Sequence, residues 1–199
     1  MRWQKTKNNL LLTGWALRSL KRRTQNYSMK HGKNLHLKPE GGRPGLLIHY
    51  GSTKYNPKKF TRIQNENWVK PKGGLWTSPI NSEWAWKHWC ESEQFRECDE
   101  QNSFVVELND NANILVIDSL NDLKKIPMIR WFKDYPDFET IAGQYDAIWL
   151  TAKGQNETHL SHPLSLYGWD CESVLILHPD CITERVGVLN ANFSHQASI

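Results

Sequence analysis

The sequence predicts an α+β body of about six strands with flanking helices. Three observations carry that reading. Apolar runs of five to seven residues recur along the chain, several of them closed by Gly, Pro or Asn. Polar stretches between them open on Ser, Asn or Asp, the residues that cap helices. No apolar run approaches the ~20 residues that cross a membrane.

The elements follow in order. Residues 8–23, NNLLLTGWALRSLKRR, suit a short helix, with Leu12, Trp15, Ala16 and Leu20 on one face and the basic residues at its C-terminal end, where the helix dipole favours them. Residues 24–45 are polar with Gly-Gly and Pro, hence a linker. LLIHY (46–50) is a short buried strand ended by Gly51, and 53–67 is a polar, basic, irregular or helical excursion. GLWTS (74–78) is a second strand, closed by Pro79. Asn81 or Ser82 would cap a helix through SEWAWKHWCESEQF.

SFVVEL (103–108) and NILVID (113–118) are strands parted by the turn signal Asn-Asp-Asn. SLNDLKK and DFETIAGQ are short helices, YDAIWLT (145–151) is a strand, and 152–170 is a polar loop. ESVLIL (172–177) is the last apolar strand, ended by His-Pro. The chain thus divides into a basic extension, 1–44, and a folded domain, 45–199.

Composition narrows the function classes. With 39% apolar and 23% charged residues, the 199-residue chain suits one soluble domain with its own core. Its net charge of +4 is unevenly spread: residues 1–44 hold 11 of the 25 Lys and Arg and one acid, Glu40. A basic arm on a mildly acidic body points to an anionic partner such as nucleic acid. The four cysteines form no CxxC and read as reduced thiols in a cytoplasmic protein. Zinc ligation by His88, Cys90 and Cys98, or by Cys171, His178 and Cys181, lacks a paired knuckle, so no metal is expected. LLLTGWAL (10–17) is followed at once by RSLKRR without a small-residue cleavage site, which argues against a secretory leader.

Three places can carry chemistry. Glu172 opens ESVLIL, where a long polar loop enters a buried strand; a carboxylate fixed there can stabilise a developing cation, or be an ordinary strand-end acid. His49 ends the first core strand, and its imidazole can both donate and accept, in a ligand site or in a satisfied structural pair. In KPKGGLWTSP (70–79) the glycines permit close backbone approach to a ligand, Trp76 offers a ring, and Thr77 and Ser78 offer hydroxyls; a turn followed by a core Trp fits equally.

A first strand with His, a second with an aromatic next to Thr-Ser, and a late strand opening with Glu resemble the ADP-ribosyltransferase superfamily, over about residues 45–180. The order of YDAIWL, a loop and DCESVLIL is similar as well. The resemblance implies a split β-sheet core and NAD⁺ as co-substrate. His49 would hold a ribose hydroxyl, helped by Ser52 or Ser78. The Gly51 backbone would hold the carboxamide. The nicotinamide would stack on Trp76, beside Thr77 and Ser78, with Tyr50 or Tyr55 nearby. Glu172 would stabilise the oxocarbenium ion, Asp170 would orient or deprotonate the acceptor, and 152–170 would touch it. All of this requires carboxylate, imidazole and indole to line one hollow.

Two features depart from the family pattern. Tyr50 separates His49 from Gly51, where the family has His followed directly by Gly, and Trp76 stands where the family commonly has Tyr.

The resulting expectation is a mono-ADP-ribosyltransferase of prokaryotic or phage type, a toxin or defence effector acting on RNA or DNA in preference to protein. Lys54, Lys58, Lys59, Lys70 and Lys72 would attract its phosphates. The family also implies a neutralising partner protein, an antitoxin. Two rivals stand beside this. A non-enzymatic nucleic-acid-binding protein would use the same basic and aromatic residues without Glu172. An RNA 2′-phosphotransferase would need a cluster of core arginines, whereas Arg62, Arg96, Arg130 and Arg185 are scattered.

Overall fold

The computed structural model describes residues 42–67, 69–129 and 134–185. The expected helix at 8–23 and most of the linker lie outside these residues.

The described residues build a mixed α+β body. In chain order they form β1 (Leu47–Tyr50), β2 (Gln64–Asn67), β3 (Lys70–Lys72), β4 (Leu75–Pro79) and α1 (Trp86–Glu93). Next come β5 (Ser103–Leu108), β6 (Ile114–Ile117), α2 (Leu120–Leu123), β7 (Met128–Ile129), β8 (Tyr135–Pro136) and α3 (Phe138–Ala142). The series ends with β9 (Ala147–Leu150), α4 (Ala152–Thr158), β10 (Ser173–Ile176) and β11 (Ile182–Glu184). The six apolar runs are β1, β4, β5, β6, β9 and β10. With β11 they make one seven-stranded sheet in the order β11-β5-β1-β4-β10-β9-β6. Every pairing in it is antiparallel except β6 with β9.

Several local expectations are corrected. Helix α1 starts later than SEWAW suggests: neither Asn81 nor Ser82 is its N-cap, and Ala85 occupies that position. The Trp86 N–H donates instead to Ser78 Oγ, 3.1 Å away on the preceding strand. The stretch 152–170 is not all loop, because Thr151 accepts from the Gly154 N–H at 3.0 Å and starts α4. The excursion at 53–67 holds a 3₁₀ turn (Pro57–Lys59) and then β2, which pairs with β3. The Asn-Asp-Asn turn parts β5 from β6 as expected, with Ala112 N–H donating to Asn109 O, but the two strands are not sheet partners.

That last fact bends the sheet. β5 and β6 lie five strand positions apart, about 24 Å across a flat sheet. The link 109–113 would reach about 20 Å fully extended, and it is shortened by a turn in which Ala112 N–H donates to Asn109 O. The sheet therefore curls until its ends approach. Its concave face gathers Leu47, Phe104 and Val106 from one half and Ala147, Trp149, Val174 and Ile176 from the other into one cluster. The opposite face carries Ile148, Leu150 and Leu175 and is covered by Leu123, Phe138, Ile141, Leu166 and Trp169. Burying both faces explains why β9 and β10 read as continuous apolar runs rather than alternating ones.

The two glycines of KPKGGLWTSP serve this packing. Gly74 has φ +67°, and a Cβ there would lie 2.6 Å from Ile176 O. At Gly73, φ +91°, a Cβ would lie 2.3 Å from Arg62 O. The close approach they allow is to the chain's own backbone.

Candidate functional site

Strand alternation sorts the predicted residues between the two faces. Leu47 and His49 share the concave face, His49 opposite Phe104, with the two rings 4.9 Å apart. Thr77 lies on the same face, opposite Val174, which is opposite Trp149. Glu172, two residues before Val174, reaches that face as well, since Trp149 Nε1–H donates to Glu172 Oε1 at 2.8 Å. His49 and Glu172 therefore stand on strands either side of β4, on the same sheet face.

β1 and β4 pair only at Leu47↔Pro79 and Ile48↔Ser78, and then part. His49 fills the parting: its Nδ1 lies 2.8 Å from Trp76 O. A carbonyl only accepts, so Nδ1 carries a proton and donates to it, which leaves Nε2 as the ring nitrogen outside this bond.

Glu172 is anchored through its backbone too. Its N–H donates to Trp84 O at 2.9 Å. Trp84 Nε1–H in turn donates to Asp170 O at 3.2 Å, and Gln155 Nε2–H to the same oxygen at 3.3 Å. The turn carrying Asp170 and Glu172 is thus held by the loop after β4 and by α4. Glu172 is 8% exposed and Trp149 3%. Between Asp170 and Glu172, burial pushes the Cys171 thiol up to about 12, so it stays protonated and is no nucleophile near neutral pH.

Other predicted groups are employed elsewhere. The Trp76 ring lies on the covered face, edge-on to Trp169 at 4.6 Å and with Lys70 Nζ 4.8 Å from its centroid. A nicotinamide lying between His49 and Glu172 would not touch that indole, which corrects the expected stacking partner. The reason is register: Trp76 is opposite Leu175, whereas its neighbour Thr77 is opposite Val174. Tyr50 points to the same side as Trp76 by alternation, and burial, then Cys98 and Glu100, raise its phenol far above the ordinary value, so it stays neutral. Ser78, 2% exposed, holds the start of α1. Ser52 Oγ–H donates to Lys54 O in a turn. The Gly51 N–H donates to Asn102 O at 2.8 Å, which leaves its carbonyl for a carboxamide. Thr77, 4% exposed, donates from Oγ1–H to Val174 O at 2.8 Å.

Two residues beyond the sequence reading belong here, Trp149 and Trp84. YDAIWLT marks Trp149 as a strand residue, but its contact with Glu172 depends on β9 lying beside β10, which no local signal encodes. Tyr55 is the ring that shares the concave face with His49, packing on Phe104 at 6.0 Å.

Other features lie apart. A cavity of about 400 Å³ at the β6 edge is lined by Leu115, Val116, Asp122, Lys125 and Tyr145, none of them a predicted site residue. Among the described residues no group of three or more His, Cys, Asp or Glu is arranged to hold a metal, and no helix is long and apolar enough to cross a membrane. All four cysteines are buried and free of disulfides. Comparison with protein-family models, curated proteins and solved structures gave no match to this chain.

Proposed function

We propose that the protein is a mono-ADP-ribosyltransferase that uses NAD⁺ as co-substrate and His49 and Glu172 as its working pair. One observation supports this above the others: the His49 imidazole and the anchored Glu172 carboxylate lie on the same sheet face, on the strands either side of the central strand β4. The Trp76 indole lies on the other face, so the three groups do not line one hollow as the resemblance required, and the reading rests on His49 and Glu172 alone.

In the reaction, His49 Nε2 accepts from a ribose hydroxyl. The bond between C1′ and the nicotinamide nitrogen breaks, and its electron pair neutralises the pyridinium. Positive charge develops on the ribose only as that bond stretches. A carboxylate fixed beside it therefore lowers the barrier rather than merely binding the substrate. An acceptor oxygen or nitrogen then bonds to C1′ and gives up its proton, to Asp170 or to water.

Nucleic acid is the acceptor we favour. Residues 51–63, which lead away from His49, carry Lys54, Lys58, Lys59 and Arg62 and no acid, and all four basic side chains are exposed. Such a stripe attracts phosphates. A role as a cytoplasmic toxin or phage-defence effector, with a neutralising protein partner, goes with this reading.

A second reading has its own support. Glu172 is nearly buried and bonded to an indole, as a purely structural carboxylate would be, so the same basic stripe would serve a non-enzymatic nucleic-acid-binding protein. Incubation with adenylate-labelled NAD⁺ and separate RNA, DNA and protein pools tests both. Label in RNA or DNA supports the proposal, and label in protein alone moves the acceptor. Nucleic-acid binding with no label in any pool favours the second reading.

A further inference from the structure

We infer that Trp149 is a positioning residue for Glu172, dividing the work of its two carboxylate oxygens; this rests on the function proposed above. The indole is 3% exposed, on the sheet face that Trp149 shares with its register partner Val174. Its N–H is 2.8 Å from Glu172 Oε1. An indole nitrogen donates and never accepts, so the bond has one polarity and persists only while that oxygen faces it. Oε1 is thereby committed to the protein, and Oε2 is the oxygen left outside this bond. A hydrogen bond to an ionised acceptor is among the stronger kinds, and in a site this buried it fixes the torsion that would otherwise let the carboxylate swing.

The backbone is held independently. The Glu172 N–H is tied to Trp84 O, and the Asp170 carbonyl to the Trp84 and Gln155 side chains. Main-chain position and carboxylate rotation are thus controlled by different residues. Removing the indole donor should leave the strand opening in place and release only the carboxylate. A residue with this role affects the transition state, where charge appears on the ribose, more than ground-state binding.

The test is Trp149→3-benzothienylalanine, which keeps the ring and its volume and replaces the N–H by sulfur, with Trp149→Phe as a second variant. With wild-type nicotinamide release as reference, the expected result is a fall of about 10- to 100-fold in kcat with KM for NAD⁺ unchanged. In a Glu172→Gln background the same substitution should cost little more, because the two residues act as a unit. Hydrogen exchange at the Trp149 indole N–H gives a readout apart from activity and should speed at least about tenfold in Glu172→Ala. An unchanged kcat, or additive losses in the double variant, overturns the positioning role. Unchanged indole exchange overturns the contact itself. A wild-type protein with no NAD⁺ turnover overturns the proposed function and the catalytic role of Trp149 with it, whereas turnover that ignores the isostere overturns the Trp149 role alone.

Discussion

The His49 imidazole lies 2.8 Å from the main-chain carbonyl of Trp76, where β1 and β4 stop pairing. The side chain thus bridges the two strands just beyond their last paired residues, through Nδ1. His49→Ala should raise KM for NAD⁺ by about tenfold and lower stability by about 1 kcal/mol, the worth of one hydrogen bond. His49→Asn, whose amide can still donate to the carbonyl, should recover stability without recovering KM. Thermal melts and initial rates on the three proteins check both.

Trp76 packs on Trp169, away from the sheet face of His49, whereas Tyr55 packs on Phe104 on the His49 side. Trp76→Phe should lower stability, through lost contact with Trp169 and Lys70, and leave KM for NAD⁺ within about twofold. Tyr55→Ala should raise KM with a smaller loss of stability, since Tyr55 is only partly buried at the rim. NAD⁺ titrations beside melts separate the two; a large KM effect at Trp76 would place the ligand on the covered face.

Gly74 should tolerate no side chain. Its φ of +67° opposes Gly74→Ala on conformational grounds, and the Ile176 carbonyl oxygen, 2.6 Å from where the new Cβ would lie, opposes it on steric grounds. Destabilisation of about 2 kcal/mol or more is expected in denaturant titrations.

Stability should fall in acid through two carboxylates remote from the site. Ser119 O–H holds the Asp122 carboxyl below its ordinary value, helped by the Asp118 N–H and opposed by burial. Burial opposes the shift at Asp137 most strongly, yet hydrogen bonds from Thr140 and Asn65 bring its value down. A lowered folded value means the unfolded chain takes up protons first. The stabilisation is therefore complete above the ordinary carboxylate range near pH 4 and is lost as pH falls through the lowered folded values. Asp122→Asn and Asp137→Asn should each flatten the loss of stability between about pH 6 and about pH 3, followed by denaturant titration.

Binding to single-stranded RNA or DNA should weaken steeply with salt. Changing Lys54, Lys58, Lys59 and Arg62 together to Gln should reduce the slope of log affinity against log salt by up to about 3 units on single strands. A slope unchanged by the four substitutions would assign the phosphate contacts to another surface.

What is legible in the sequence follows from the reach of each signal. The six apolar runs form six of the seven strands of the main sheet because short stretches of Val, Ile and Leu gain most by burial in a sheet. Ser119 and Asp137 cap their helices because capping involves residues only a few positions apart. Short polar strands such as QNEN and KPK give no hydrophobic signal, so nothing along the chain announces β2 and β3. The face of each site residue is legible only in part. His49 and Glu172 meet because β1 and β10 flank β4, and the family resemblance carries that order. The Trp76 ring points away because pairing with β10 puts Thr77, not Trp76, opposite Val174. The bond from Trp149 to Glu172 crosses two strands 23 residues apart, and no spacing rule along the chain foretells it.

The most direct measurement is nicotinamide release from NAD⁺ by purified wild-type protein and by Glu172→Gln, which keeps the shape of the side chain and removes its charge. Release by the wild type with a loss of about 10²–10³-fold in the variant is the expected result for a carboxylate that stabilises charge on the ribose. Equal rates in the two proteins, or no release by either, would contradict it.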